Sequence, residues 1–306
     1  MCYSPADFRW HYVYFNRQVS IALVTCSAMG LVTAGPLSSW SFEGHRSITR
    51  EAVELLSPGV PLHRDAIDIA IEGSVFPDLS RPVSMPELND LEYPQHYINL
   101  EPLGNRVLPR TRSAYLRLVS TLDGSRAMGP VGTLPYALTE ATQRLATVFR
   151  QMRADPESPR LQWLAQHYAG ILAHYSEDLC QPLHTSVDHD GRALPDGSSP
   201  MTGIHKRVDR LLETAPVDYQ ASSGDSAVEE YEDVFAAVVT ELLRSHALVD
   251  RVYQLEPDIQ NASVSGEVTT ELEAFVEERF SAATRFTASL IQTAWELSET
   301  VKLPGE

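Results

Sequence analysis

Past residue 40 the apolar positions recur at three- and four-residue steps almost everywhere, the period of helices that turn one face to a core. The clearest run is Leu161, Leu164, Tyr168, Ile171, Leu172, Tyr175 and Leu179, preceded by Ser158-Pro159 and followed by Pro182. It predicts a helix over about 159–180, capped by the serine, started by the proline and stopped before the next one. Similar stripes predict helices over 45–56, 133–153, 226–252 and 268–300, the last through Leu272, Phe275, Val276, Phe280, Ala283, Phe286, Leu290, Ile291 and Leu297. No alternating run is long enough for a sheet. Segments 74–110 and 186–203 lack a period and carry proline, aromatic or Asp-Gly turn signals, so they read as ordered loops. The expected fold is a single all-α body over residues 40–306, with loops closing over one end of the helices.

Residues 1–39 break this pattern. From Gln18 to Phe42 there is no charge, and Val19–Gly35 is apolar and rich in small residues behind Arg9 and Arg17. That is the layout of a secretory leader, short and Ser/Thr-diluted for a membrane span, and it implies a secreted or periplasmic protein. Cys2 and Cys26 fall in the leader and Cys180 stands alone afterwards, so no internal disulfide is expected in the exported chain.

The charge narrows the function. With 41 acidic against 24 basic side chains the formal net charge is −17, a field that repels phosphate and excludes binding of nucleic acid or anionic lipid by a diffuse basic surface. Phosphate chemistry on this chain would need bound cations.

Candidate ligands for such cations are present. His174 and Asp178 lie at i and i+4 on the 159–180 helix, and His205 and Asp209 repeat that spacing on the next one. The spacing stacks an imidazole and a carboxylate on one helix face. Pro182 redirects the chain and delivers His184 nearby. Upstream stand Trp40 and His45, Asp78 and Arg81 behind Pro77, and His96 before Tyr97. Singly, a His-x-x-x-Asp pair reads as an exposed ion pair, Trp40 as packing and Asp78 as a turn residue. Jointly they weigh differently: five of ten histidines (45, 96, 174, 184 and 205) sit in compact motifs beside Asp or Trp. His189 could belong to either group. Nitrogen and carboxylate donors without thiolates suit zinc.

The ordered set Trp-x-x-x-x-His, Pro-Asp-x-x-Arg, His-Tyr, His-x-x-x-Asp-x-x-Gln-Pro-Leu-His and Gly-x-His-x-x-x-Asp, over residues 40–209, resembles the zinc-dependent phospholipase C and single-strand nuclease superfamily, whose nuclease branch is called S-one/P-one. The resemblance implies an all-α fold and three zinc ions. One would be held by Asp78, His96, His174 and Asp178, and a second by His184, His205 and Asp209. The third would take the backbone amine and carbonyl of Trp40, with His45 and Asp178, so that Asp178 bridges two ions. An amide nitrogen cannot serve as that ligand, so the leader must be cut between Ser39 and Trp40. Asp78 is expected to orient or deprotonate the nucleophile and Arg81 to donate to the phosphoryl oxygens.

The favoured expectation from sequence is a secreted zinc-dependent phosphodiesterase of the nuclease type, acting on single-stranded DNA, RNA or nucleotides, with no stable protein partner. A phospholipase C acting on phospholipid headgroup esters is the alternative, because the two share one metal core. A di-iron bundle would call for Glu-x-x-His pairs, which the chain lacks. A non-catalytic protein with structural zinc would commonly be rich in cysteine ligands.

Overall fold

The computed structural model describes residues 40–62, 67–122, 131–214 and 228–305. The fold is all-α. Its helices are α1 (Phe42–Glu54), α2 (Ile67–Gly73), α3 (Phe76–Leu79), α4 (Pro86–Glu92), α5 (Arg112–Val119), α6 (Leu134–Ala154) and α7 (Pro159–Cys180), followed by α8 (Ile204–Asp209), α9 (Leu211–Thr214), α10 (Val234–His246), α11 (Val249–Gln254), α12 (Glu256–Ser265) and α13 (Thr270–Leu297). Among the described residues there is no strand, only isolated bridges such as Ile98 with Gly132, and no helix is long and apolar enough to cross a membrane.

Helices α6, α7 and α13 form the centre, and the principal core joins Leu138, Leu145, Phe149, Leu172, Leu179, Phe280 and Leu290 with residues of α1 and α10. A second cluster gathers Leu183, Ile204, Val208, Val252, Ile259 and Leu272 under α8, α11, α12 and the start of α13. Helix α7 begins and ends where the prolines put it, although Ser158 makes no side-chain cap. Its last nine residues, Leu172 to Cys180, are all buried, so the amphipathic stripe of its first half gives way to a segment enclosed on every side.

Two expectations are corrected. The 226–252 stripe is not one helix. Residues 229 and 231 run beside α13 and donate their amides to Ser289 Oγ (2.9 Å) and Thr293 Oγ1 (3.0 Å), and the helix starts only at Val234, capped by Asp233. It breaks again at Ala247–Leu248, because Val238 and Leu242 serve the principal core and Val249 and Val252 the second one. Nor is 74–110 without helices. It holds α3, α4 and the 3-10 turns Tyr93–His96 and Glu101–Leu103, each with a proline in its first two positions. A proline there replaces an amide that would lack an intrahelical partner anyway, so these prolines start short helices rather than break long ones.

Two glycines let backbones approach where the site is assembled. A Cβ on Gly170 of α7 would lie 2.3 Å from Ala70 O of α2, so the absence of a side chain brings α2 and the residues that follow it against α7. Gly132, at φ +82°, lies against Tyr97, where a Cβ would meet the carbonyl oxygen at 2.1 Å. The 96–100 segment is thereby clasped between two others, with Ile98 N donating to His184 O (2.8 Å) and Asn99 N to Val131 O (2.7 Å).

Candidate metal centre

Six of these elements deliver the candidate ligands. Helix α1 begins at Phe42, its N-terminal amide at Gly44 capped by Ser41 Oγ, and carries His45. The turn after α2 supplies the Ser74 carbonyl, and the first turn of α3 carries Asp78. The clasped segment brings His96, α7 brings His174 and Asp178, the turn at Pro182 brings His184, and α8 brings His205 and Asp209. Three groups of potential ligand atoms result, within each of which all atoms lie within 4.8 Å of one another: His45, His174 and Asp178; Asp78, His96 and His174; and His184, His205 and Asp209.

Asp178 lies at the junction. Its Oδ2 is 3.2 Å from His96 Nδ1 and 3.3 Å from His174 Nε2, while Oδ1 is 3.6 Å from His45 Nε2. The two oxygens thus face different imidazoles, the placement of a carboxylate shared between two sites. His174 also falls in two of the groups, a sharing the sequence did not suggest.

Second contacts fix which ring nitrogen faces inward. The Nδ1–H groups of His174, His184 and His205 donate to the carbonyls of Ser74 (2.7 Å), His96 (2.6 Å) and His189 (3.1 Å), leaving each Nε2 for the centre. His45 differs, since its Nδ1 meets Glu177 Oε2 at 2.5 Å. Gln181 Nε2 donates to Asp209 Oδ1 (2.8 Å) while its Oε1 accepts from Leu183 N, so one side chain steadies a carboxylate and turns the chain toward His184.

The donor set fits a cation. Asp78 Oδ2, His96 Nε2, Asp178 Oδ1, His184 Nε2 and Asp209 Oδ2 are buried and have no hydrogen-bond partner. Polar atoms left so in an interior cost free energy unless something pairs with them, and five together around three carboxylates form a cavity of cation chemistry. Protonation agrees. Burial pushes His45 and His205 well below the usual imidazole range, His184 lower, and His96 down to about 4, which keeps these rings neutral and able to donate electrons. At His174 burial is outweighed by Asp178, and its pKa is raised. Burial also disfavours the Asp178 carboxylate, but His174 and His184 hold it well below the carboxylate range.

The remaining sequence candidates take definite places. Trp40 is 2% exposed, its indole Nε1 donating to Glu177 O (3.0 Å), and the next amide, Ser41 N, donates to Asp209 O (2.9 Å). Trp40 and Ser41 are thus tied to α7 and α8. Arg81 is 7% exposed, ion-paired with Asp78 and set over the Tyr93 ring at 5.7 Å. His189 contributes its carbonyl, its ring 6.1 Å from that of His205 and in none of the three groups. His167 stacks on exposed Trp163, and His246 touches Thr185. His63, the leader and the cut before Trp40 lie outside the described residues. Cys180 is free and buried.

Sequence reasoning missed Glu177 and Thr49, whose hydroxyl donates to Glu177 Oε1 (2.8 Å). A signal was there: Glu177 immediately precedes Asp178 in a helical segment without a solvent-facing side, where a second carboxylate needs a reason.

His45, His174 and Asp178 are fully enclosed, whereas His184, His205 and Arg81 keep 4%, 6% and 7% exposure.

No family model and no curated protein matches the chain. Among solved structures, the alpha toxin from Clostridium absonum superposes with a TM-score of 0.43 at 14% identity, over 85% of this chain and 63% of the toxin. The chain therefore spans less than two thirds of that structure's length.

Proposed function

We propose that this chain is an exported, zinc-dependent phosphodiesterase. The reading rests on one observation: three groups of His and Asp ligand atoms, brought from α1, α3, His96, α7, the Pro182 turn and α8, each lie within 4.8 Å of one another, and five polar atoms of these residues are buried without a hydrogen-bond partner. Asp78, His96, His174 and Asp178 would hold one ion, His184, His205 and Asp209 a second, and His45, Asp178 and the freed Trp40 terminus a third. Bound zinc would supply Lewis-acid neutralisation of phosphoryl charge and acidify a nearby water. Six positive charges against the three ligand aspartates would leave a local surplus able to draw a phosphodiester into an acidic protein.

The protein's own groups divide the remaining work. Asp78 pairs Oδ1 with Arg81 and leaves Oδ2 buried without a hydrogen-bond partner, an oxygen that can take a proton from the attacking water. Arg81 is a multi-donor group that keeps 7% exposure, so it can hold Asp78 and still donate to a phosphoryl oxygen as charge develops. The Trp40 indole, buried against α7, seats the terminus that processing before Trp40 would free.

For the substrate, we favour phospholipid headgroup esters over the nucleic acid suggested by sequence. The segment carrying Asp78 and Arg81 also carries Phe76, Leu79, Val83, Met85, Leu91 and Tyr93, each more than a third exposed. Exposed apolar side chains in that number suit an amphiphile's surface, and a chain of net charge −17 offers a polyanion little attraction away from the metals. The observation on the nucleic-acid side is the partly exposed Tyr93, edge-on to Tyr97 at 5.6 Å, which could stack a base. Parallel assays of metal-loaded protein on phosphatidylcholine vesicles and on single-stranded DNA decide between them. Hydrolysis of the vesicles, lost on chelation and restored by zinc, is expected; cleavage of DNA alone would reverse the substrate assignment, and no hydrolysis of either would remove the function.

A further inference from the structure

Glu177 is fully buried, and among the described residues its carboxylate meets neither Arg nor Lys; its side-chain partners are His45 Nδ1 at 2.5 Å and the Thr49 hydroxyl at 2.8 Å. An apolar residue would pack there at less cost than a carboxylate with two donors, so burial alone does not explain the choice. The other three imidazoles held through Nδ1, those of His174, His184 and His205, rest on neutral backbone carbonyls. His45 rests on a carboxylate.

The backbone of the same residue does a second job. Glu177 O is among the last carbonyls of α7, which ends at Cys180, and so lacks an intrahelical amide partner. The Trp40 indole caps it at 3.0 Å. One residue thus grips α1 at two points, His45 and Thr49 through its carboxylate, and the residue ahead of that helix's cap, Trp40, through its carbonyl. Its chain neighbour Asp178 faces the other nitrogen of the same imidazole, with Oδ1 3.6 Å from His45 Nε2.

We propose that Glu177 is a positioning residue for the ion that His45, Asp178 and the freed Trp40 terminus would hold, an inference that rests on the trinuclear reading above. By accepting the Nδ1–H of His45 it fixes the tautomer that leaves Nε2 unprotonated toward Asp178, and it makes the ring a stronger donor than a carbonyl partner would. The other two sites do not touch Glu177, so its effect is confined to one ion of the three.

The test uses the full chain expressed with its leader, stripped of metal and titrated with Co2+, with each ion's uptake followed by its d–d absorption and by chelator competition. Glu177→Ala is expected to weaken one ion about 10- to 100-fold, the range for loss of an outer-shell partner, and to leave the other two at wild-type affinity. Glu177→Gln can still accept from His45 and donate to Thr49, and should restore most of the loss. Thr49→Val, which frees one carboxylate oxygen, should cost less than Glu177→Ala. If Glu177→Ala does not fold, Glu177→Gln and Thr49→Val are compared instead, and a one-ion weakening in either supports the role. Wild-type affinity for all three ions in every variant overturns the proposal, as does an equal loss of all three. A wild-type chain that takes up no Co2+ removes the trinuclear reading itself, and this role with it.

Discussion

Gly170→Ala sets two effects of opposite sign against each other. Gly170 lies inside α7, where alanine is intrinsically favoured over glycine by about 0.8–1 kcal/mol. The new Cβ, however, would lie 2.3 Å from Ala70 O and 2.7 Å from two backbone atoms of Gly73, against an ordinary contact of at least 3.4 Å. Backbone cannot swing aside as a flexible side chain can, so α2 must retreat by about 1 Å, and overpacking of this kind costs up to about 3 kcal/mol. The steric term wins, for a net loss of about 2 kcal/mol and a fall in Tm of about 4–8 °C. The same retreat carries Ser74 O away from His174 Nδ1, from 2.7 Å to about 3.7 Å, beyond hydrogen-bonding reach. Zinc affinity should then fall about 10- to 100-fold. Gly59→Ala is the control, because its Cβ would meet nothing within 4 Å. Calorimetry of the metal-free proteins, followed by competitive zinc titration, measures both effects. A Gly170→Ala protein as stable as the wild type or more so, binding zinc as tightly, would refute the close-approach argument.

Other outcomes are equally definite. Asp178→Asn removes a carboxylate facing two sets of ligands, and elemental analysis should find one tightly held zinc where the wild type holds three; three would contradict the shared ligand. Arg81→Ala should keep its zinc and lose about 100- to 1,000-fold in turnover, whereas unchanged turnover at full zinc content would dismiss its role in the transition state. Without metal, stability should fall on acidification from pH 6.5 toward pH 4: the unfolded chain takes up protons there that His96, held down to about 4, refuses when folded, with His45, His184 and His205 acting in the same sense and His174 and the raised carboxyls of Glu177 and Asp209 opposing them. The slope from one such ring approaches about 1.4 kcal/mol per pH unit, and urea titrations at pH 7 and pH 5 that give equal stabilities would refute it.

Much of the fold was legible because α6, α7 and α13 are long and strongly periodic, and their apolar positions are the ones found in the core. The 226–252 stripe misled because its two halves feed different cores, and periodicity does not record which neighbour an apolar face meets. Segment 74–110 misled because proline has one identity in the sequence and two roles in space. The candidate ligands stood out through spacing: His174 with Asp178 and His205 with Asp209 are local pairs on single helices. The carbonyls of Ser74, His96 and His189, which set the ring tautomers, leave no trace in residue identity. Glu177 carried a trace, but its meaning needed α1 to be placed against α7 across 132 residues of sequence.

The most direct measurement is anomalous diffraction at the zinc edge from crystals of zinc-loaded protein that begins at Trp40. The account predicts peaks among Asp78, His96, His174 and Asp178, among His184, His205 and Asp209, and beside His45 and the Trp40 terminus. An anomalous map without a peak at these side chains, from protein that hydrolyses a phosphodiester, would contradict it.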